Sequence, residues 1–178
     1  MTPCEMFEKL RPAKEIIANE INIEFDSILE VGCQWGENLL AIERKFPDKK
    51  IVGVDIDRIR LSEGQKYLTK AELTYGDARK LPFPDKSFDI VFTNALICML
   101  DPEDVMVAIK EILRVAKKQV MFIELLMLNG FIGIIPHGRT AVNWKVIFEN
   151  NPTIKKLEPE EFDADPWIEY GYLIKLKL

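Results

Sequence analysis

Each of three apolar runs in this sequence ends in or next to a carboxylate: Glu30 within "SILEV", Asp55 after "KIVGV" and Asp77 after "ELTYG". The first run continues into the turn Gly32-Cys33-Gln34-Trp35-Gly36 and then into helix formers. Glycines let a backbone come close to a ligand, and a helix that starts there offers free N–H groups. Asp55 lies nineteen residues beyond Gly36, where a carboxylate can accept both hydroxyls of a ribose. Asp77 can accept from an adenine amino group, and the Ala78 N–H can donate to a ring nitrogen. A G-x-G-x-x-G fingerprint would need glycines at positions held by Gln34 and Glu37. Glu37 at a helix start also repels a pyrophosphate. The pattern points to an adenosine ligand with a tail that carries no phosphate.

The elements that must position these residues alternate along the chain. Apolar spacing predicts helices over 5–20, 37–46, 58–70 and 102–118, and strands over 27–31, 50–55, 72–77, 87–93 and 119–128. The helix at 102–118 is the clearest: Asp101 is placed to cap it, Pro102 suits its first position, and Lys117 and Lys118 close it. "TIKKLE" and "WIEYGYLIKLKL" then predict a terminal antiparallel hairpin. Strands alternating with helices imply an α/β fold, a parallel sheet covered on both faces, with ligands at the carboxyl ends of the strands.

At 178 residues the chain is one domain's length, and 48% hydrophobic with 30% charged residues is globular composition. A net charge of −5 argues against nucleic acid, which needs clustered Lys and Arg. Cys4, Cys33 and Cys98 are too scattered for a disulfide framework or a metal centre, and no metal is expected. The first fifteen residues are too charged for an export signal. "VMFIELLMLNGFIGII" is broken by Glu124, Asn129 and Gly130 before it could span a membrane, so a soluble cytoplasmic protein is expected.

The blocks "ILEVGCQWGENLL", "IVGVDID", "GDARKLPFPDKSFDIVFTNALICML" and "ILRVAKK", in this order and spacing, resemble the class I S-adenosylmethionine-dependent methyltransferases, in particular their type 11-like domains. The resemblance implies a three-layer, Rossmann-like sandwich with a seven-stranded, mostly parallel sheet and the antiparallel hairpin at its end. It divides residues 1–178, one domain, into an N-terminal helical extension (1–22), a cofactor-binding core (27–128) and a substrate-side segment with the hairpin (129–178). The cofactor it implies is S-adenosylmethionine, leaving as S-adenosylhomocysteine. Glu30, Gly32 and Gly36 would surround its methionine part, with Cys33 and Gln34 lining the loop. Asp55 would hold the ribose, Ile56 would pack on adenine, Asp77 and Ala78 would read the adenine edge, and Thr93 and Asn94 would lie beside the sulfonium. Gln34 departs from the family, which usually has glycine there.

The implied activity is in-line methyl transfer to the oxygen or nitrogen of a small-molecule acceptor. The alternatives are an inactive binding domain of the same fold, a protein methyltransferase or an aminopropyltransferase. Glu124 is either a hydrogen-bonded structural acid or a group facing the acceptor, and His137, the single histidine, is either a base or a surface residue. Trp35 is open between a substrate contact and packing on the N-terminal helix, and Arg139 between binding an acidic acceptor and plain solvation. "FIGIIP" at 131–136 reads as a lid, core or a contact within a homodimer.

Overall fold

The computed structural model describes residues 12–126, 130–135, 138–149, 151–152, 154–161 and 171–178. Its centre is β1 (Ser27–Val31), buried at every position, as expected of a strand covered on both faces. Parallel to it run β2 (Lys50–Asp55), β3 (Glu72–Tyr75), β4 (Phe88–Asn94) and β5 (Ala116–Leu125). A small separate sheet pairs β6 (Ile132–Ile135) with β7 (Arg139–Val142). The terminal hairpin is β8 (Lys156–Glu161) and β9 (Gly171–Lys177). The seven-stranded sheet has the order β3-β2-β1-β4-β5-β9-β8, with β9 antiparallel to both its neighbours. The expected sheet and hairpin are therefore present.

Helices α1 (Pro12–Asn19), α2 (Glu37–Lys45) and α3 (Arg58–Gly64) cover one face, where Ile17, Leu39, Ile42 and Leu61 pack on Ile28, Ile51 and Ile90. Helices α4 (Pro102–Val115) and α5 (Trp144–Phe148) cover the other. There Trp144 stacks on Phe122, ring centroids 4.6 Å apart, and its indole N–H donates to the Leu125 carbonyl. Of the expected 5–20 helix, only the part from residue 12 lies within the described residues.

Two boundaries and one cap differ from the sequence reading. The α4 helix ends at Val115 and the chain passes directly into β5, so Lys117 and Lys118 belong to a strand. Ala116 is extended and pairs with Phe88, and both lysines turn toward the buried Asp89 carboxylate, at 3.9 and 3.5 Å. Asp101 occupies the N-cap of α4, but its side chain makes no cap bond. The helix after β2 stops at Gly64, followed by a short 3-10 turn at Gln65–Tyr67. The Gln65 side chain instead bridges the outer edge of β3, accepting from Leu73 N–H at 2.8 Å and donating to the Ala71 carbonyl at 2.9 Å. The β6–β7 pair arises where the sequence carried no readable pattern.

One buried acid that sequence reasoning passed over holds the entry to β3. Glu43 on α2 accepts from the backbone N–H groups of Thr69, Lys70 and Ala71, and from the Thr69 hydroxyl. Glu43→Ala leaves these donors without a partner and is expected to destabilise the fold by about 2–4 kcal/mol in chemical denaturation. A loss within about 0.5 kcal/mol, the range of an ordinary surface change, would show that this acid does not organise the segment.

Candidate functional site

The sheet order reverses at β1, between β2 and β4, and the informative residues sit at the carboxyl ends there. The turn after β1 lies down on β2, because the N–H groups of Gly32 and Cys33 both donate to the Val54 carbonyl, at 2.8 and 3.1 Å. That path needs left-handed backbone at Gly32 (φ 80°), Gln34 (φ 50°) and Gly36 (φ 82°). Glycine meets the need freely, and Gln34 meets it with strain. The Gln34 N–H donates to Asp55 Oδ2 at 2.8 Å, and Asp57 N–H donates to Asp55 Oδ1 at 2.9 Å. A carboxylate has about four acceptor positions, so Asp55 keeps capacity for a ligand's hydroxyls.

A cleft of about 210 Å³ opens over these ends. Gly32, Asp55 and Ile56 line one side of it, Asp77 and Ala78 another, and Leu96, Met99 and Leu100 a third. Arg79 joins two of its walls, meeting Asp77 at 2.6 Å and Asp104 of α4 at 2.9 Å. Its hydrogen bonds hold the Asp77 carboxyl below the usual carboxylate range, so the acid is ionised at neutral pH. Asp55, Asp77, Asp101 and Asp104 thus face the cleft, with Arg79 as the one cation among its described lining residues. A phosphate-bearing ligand is repelled by that balance, and a cationic one is favoured.

The remaining expected residues divide by position. Glu30 is buried behind the turn and accepts from the Asn38 amide of α2, outside the cleft lining. Cys33 is buried, and burial raises its thiol far above the ordinary range, so it has no nucleophile's character. Gln34 is exposed and its side chain is not among the groups lining the cleft. Among the described residues Trp35 packs on α3 and is not in the cleft lining: its indole N–H donates to Glu63, and the Arg60 guanidinium lies 4.7 Å from its ring. Gly64 permits that crossing, since a Cβ there would lie 2.0 Å from the Trp35 carbonyl oxygen.

Thr93 and Asn94 end β4, and the Thr93 hydroxyl donates to Glu124. Glu124, fully buried at the end of β5, accepts also from Leu96 and Cys98 N–H, so it serves the turn after β4 and does not open onto the cleft. Arg139, on β7, is exposed and meets the sulfur of Met99 at the cleft's rim. His137 lies outside the described residues. Sequence reasoning missed Arg79 and Asp104; their signals were the spacing of Arg79 two residues after Asp77 and an acid in the first turn of α4.

Residues 28–119 match the model of a family described as "Methyltransferase domain". An uncharacterized protein of Haemophilus influenzae is 30% identical over 167 residues, covering 80% of this chain and 66% of its own. A fatty-acid O-methyltransferase of Mycolicibacterium smegmatis is 36% identical over 76 residues, covering 42% of this chain and 28% of its own. The chain thus spans only part of the length of these curated relatives. A crystal structure of a SAM-dependent methyltransferase from Aquifex aeolicus superposes with a TM-score of 0.69 at 16% identity, over 99% of this chain and 98% of that one. The matched residues hold β1 to β4, the turn laid on β2 and the carboxylates at the strand ends, and the chain belongs to the methyltransferase-domain family, among the class I S-adenosylmethionine-dependent methyltransferases.

Proposed function

We propose that this chain binds S-adenosylmethionine in the cleft over β1, β2 and β3 and directs its methyl group to a small-molecule acceptor, a carboxylate. The observation that carries the cofactor half is the acidic cleft itself, with Asp55, Ile56, Asp77 and Ala78 on its walls. Asp55 offers free acceptor positions to ribose hydroxyls, exposed Ile56 offers an apolar surface for a purine face, and Asp77 with the Ala78 N–H offers an acceptor and a donor to a purine edge. The surplus of carboxylates suits a sulfonium. The cofactor supplies a methyl group already activated by that sulfonium charge, so the chain's task is to orient the acceptor and exclude water.

A carboxylate acceptor is supported by two features. It is ionised at neutral pH and needs no base, in keeping with Glu124 being buried and engaged by three donors. At the rim stands Arg139, an exposed guanidinium whose geometry suits bidentate carboxylate binding. The M. smegmatis relative, named for a fatty acid, is consistent with that class.

Isothermal titration with S-adenosylmethionine and S-adenosylhomocysteine tests the cofactor reading: micromolar binding of both is expected, and no binding by folded protein would replace it with an inactive domain of this fold. Asp55→Ala is expected to weaken S-adenosylhomocysteine binding about tenfold or more; unchanged affinity would remove Asp55 from the site. Because the exposed Gln34 side chain is not among the groups lining the cleft, Gln34→Gly should leave that affinity unchanged while raising stability by about 0.5–1 kcal/mol through relief of left-handed strain. Against a panel of carboxylic acids, amines and phenols, methyl transfer should be confined to the acids. Arg139→Ala should raise KM for the acid about tenfold or more without altering cofactor affinity, and turnover of amines alone would overturn the carboxylate assignment.

A further inference from the structure

The turn that follows β4 closes the cleft on one side. Ala95 holds left-handed backbone at φ 56°, with its N–H donating to the Ile123 carbonyl at 2.9 Å. The strained residue throws Leu96 back across the cleft onto the first turn. A Cβ built on Gly32 would lie 2.9 Å from Leu96 Cδ1, so the leucine packs directly on the glycine where the strand-end turns face each other. Pockets that bury most of a drug-sized ligand occupy about 300–1,000 Å³, and the cleft here, with Leu96 on its wall, is about 210 Å³. The space over Gly32 is filled by Leu96.

What holds Leu96 there is Glu124. One carboxylate oxygen accepts from the Thr93 hydroxyl at 2.8 Å and from Leu96 N–H at 2.9 Å, and the other accepts from Cys98 N–H at 3.3 Å. A single side chain on β5 thus fixes both ends of the segment 96–98 and ties it to β4. A carboxylate buried to 1% exposure is retained at considerable desolvation cost, and here it accepts from the end of β4 and from two N–H groups of the turn.

We propose that residues 95–100 form a gate over the methionine half of the cleft, with Leu96 as its blocking side chain and Glu124 as the latch that keeps it shut. The proposal rests on the cofactor reading above. Ligand enters when the turn lifts Leu96 from Gly32, so apparent affinity is the intrinsic affinity reduced by the open fraction. Glu124 is a positioning residue: it acts through the backbone of the turn. The weaker bond, to Cys98, is the one lost when that oxygen takes up a proton, because a hydroxyl there opposes an N–H. Burial pushes the Glu124 carboxyl up to about 7, which brings latch release into the neutral range. The other groups around it are Cys98 on the turn, whose thiol is pushed up to about 12 by burial, Arg139 of β7 near that thiol, and Tyr172, its partner across β9. A neutral thiol and a charged guanidinium do not change state between pH 6 and 8.

Two measurements test the gate. In hydrogen exchange of the protein without ligand, the near-isosteric Glu124→Gln should expose the Leu96 and Cys98 amides about tenfold faster or more, since an amide NH2 cannot accept from Cys98. Unchanged exchange at both amides would overturn the latch. In titration with S-adenosylhomocysteine, Leu96→Ala and Glu124→Gln should each bind about fivefold tighter or more than wild type, the effect of a larger open fraction. Wild-type affinity should rise as pH falls from 8 to 6, and that of Glu124→Gln should not. Weaker or equal binding by Leu96→Ala, with wild type binding normally, would overturn the gate and make Leu96 a ligand contact. Failure of every variant to bind would overturn the cofactor reading instead, and the exchange result would still decide the latch.

Discussion

The Val54 carbonyl, accepting from two successive N–H groups of the turn after β1, is the contact on which the site depends. It brings the first strand–helix turn down against the end of the second strand, and the geometry around it tolerates very little mass. A Cβ on Gly53 would come within 2.7 Å of the Cys33 sulfur, and one on Gly36 within 2.8 Å of Leu68. Because the turn is seated this way, the Gln34 N–H reaches Asp55, and Asp55 is fixed by two backbone donors before any ligand arrives. Preorganisation of that kind removes an ordering cost from binding.

The charges around this seat follow one logic. Carboxylates at the ends of β2 and β3 and at the start of α4 converge because the topology brings those ends together, and Arg79 joins two of them. The arginine relieves repulsion between Asp77 and Asp104 without neutralising the cleft.

Strand positions and the order of acids were legible in the sequence because β1, β2 and β4 are buried on both faces, and burial writes a continuous apolar run. The placement of Asp55, Asp77 and the two glycines at the strand ends was legible for a related reason: a turn at a strand end admits few residue types. Less was legible where side chains substitute for backbone. Gln65 ends the α3 region early by bonding to the β3 edge, Glu43 organises 69–71, and Glu124 organises 96–98; nothing in a local window marks a long-range acceptor. The end of α4 was misplaced because Lys117 and Lys118 look like helix-terminal cations, whereas their partner is Asp89, more than twenty residues away in sequence. The contact of Trp35 with α3 was not legible either, because it depends on the missing side chain of Gly64, far away in sequence.

The bridging of the β3 edge by Gln65 has a consequence of another kind. An unpaired strand edge invites addition of a foreign strand, and β3 is the terminal strand on its side of the sheet. By occupying the Leu73 N–H and the Ala71 carbonyl, one amide side chain satisfies a donor and an acceptor that another chain would otherwise use as its template. The Arg58 guanidinium, 3.6 Å from the Tyr75 ring centroid, sets a positive charge beside the same margin. The domain thereby carries its own guard against edge-to-edge aggregation, on the side of the sheet where, among the described residues, no further strand covers β3.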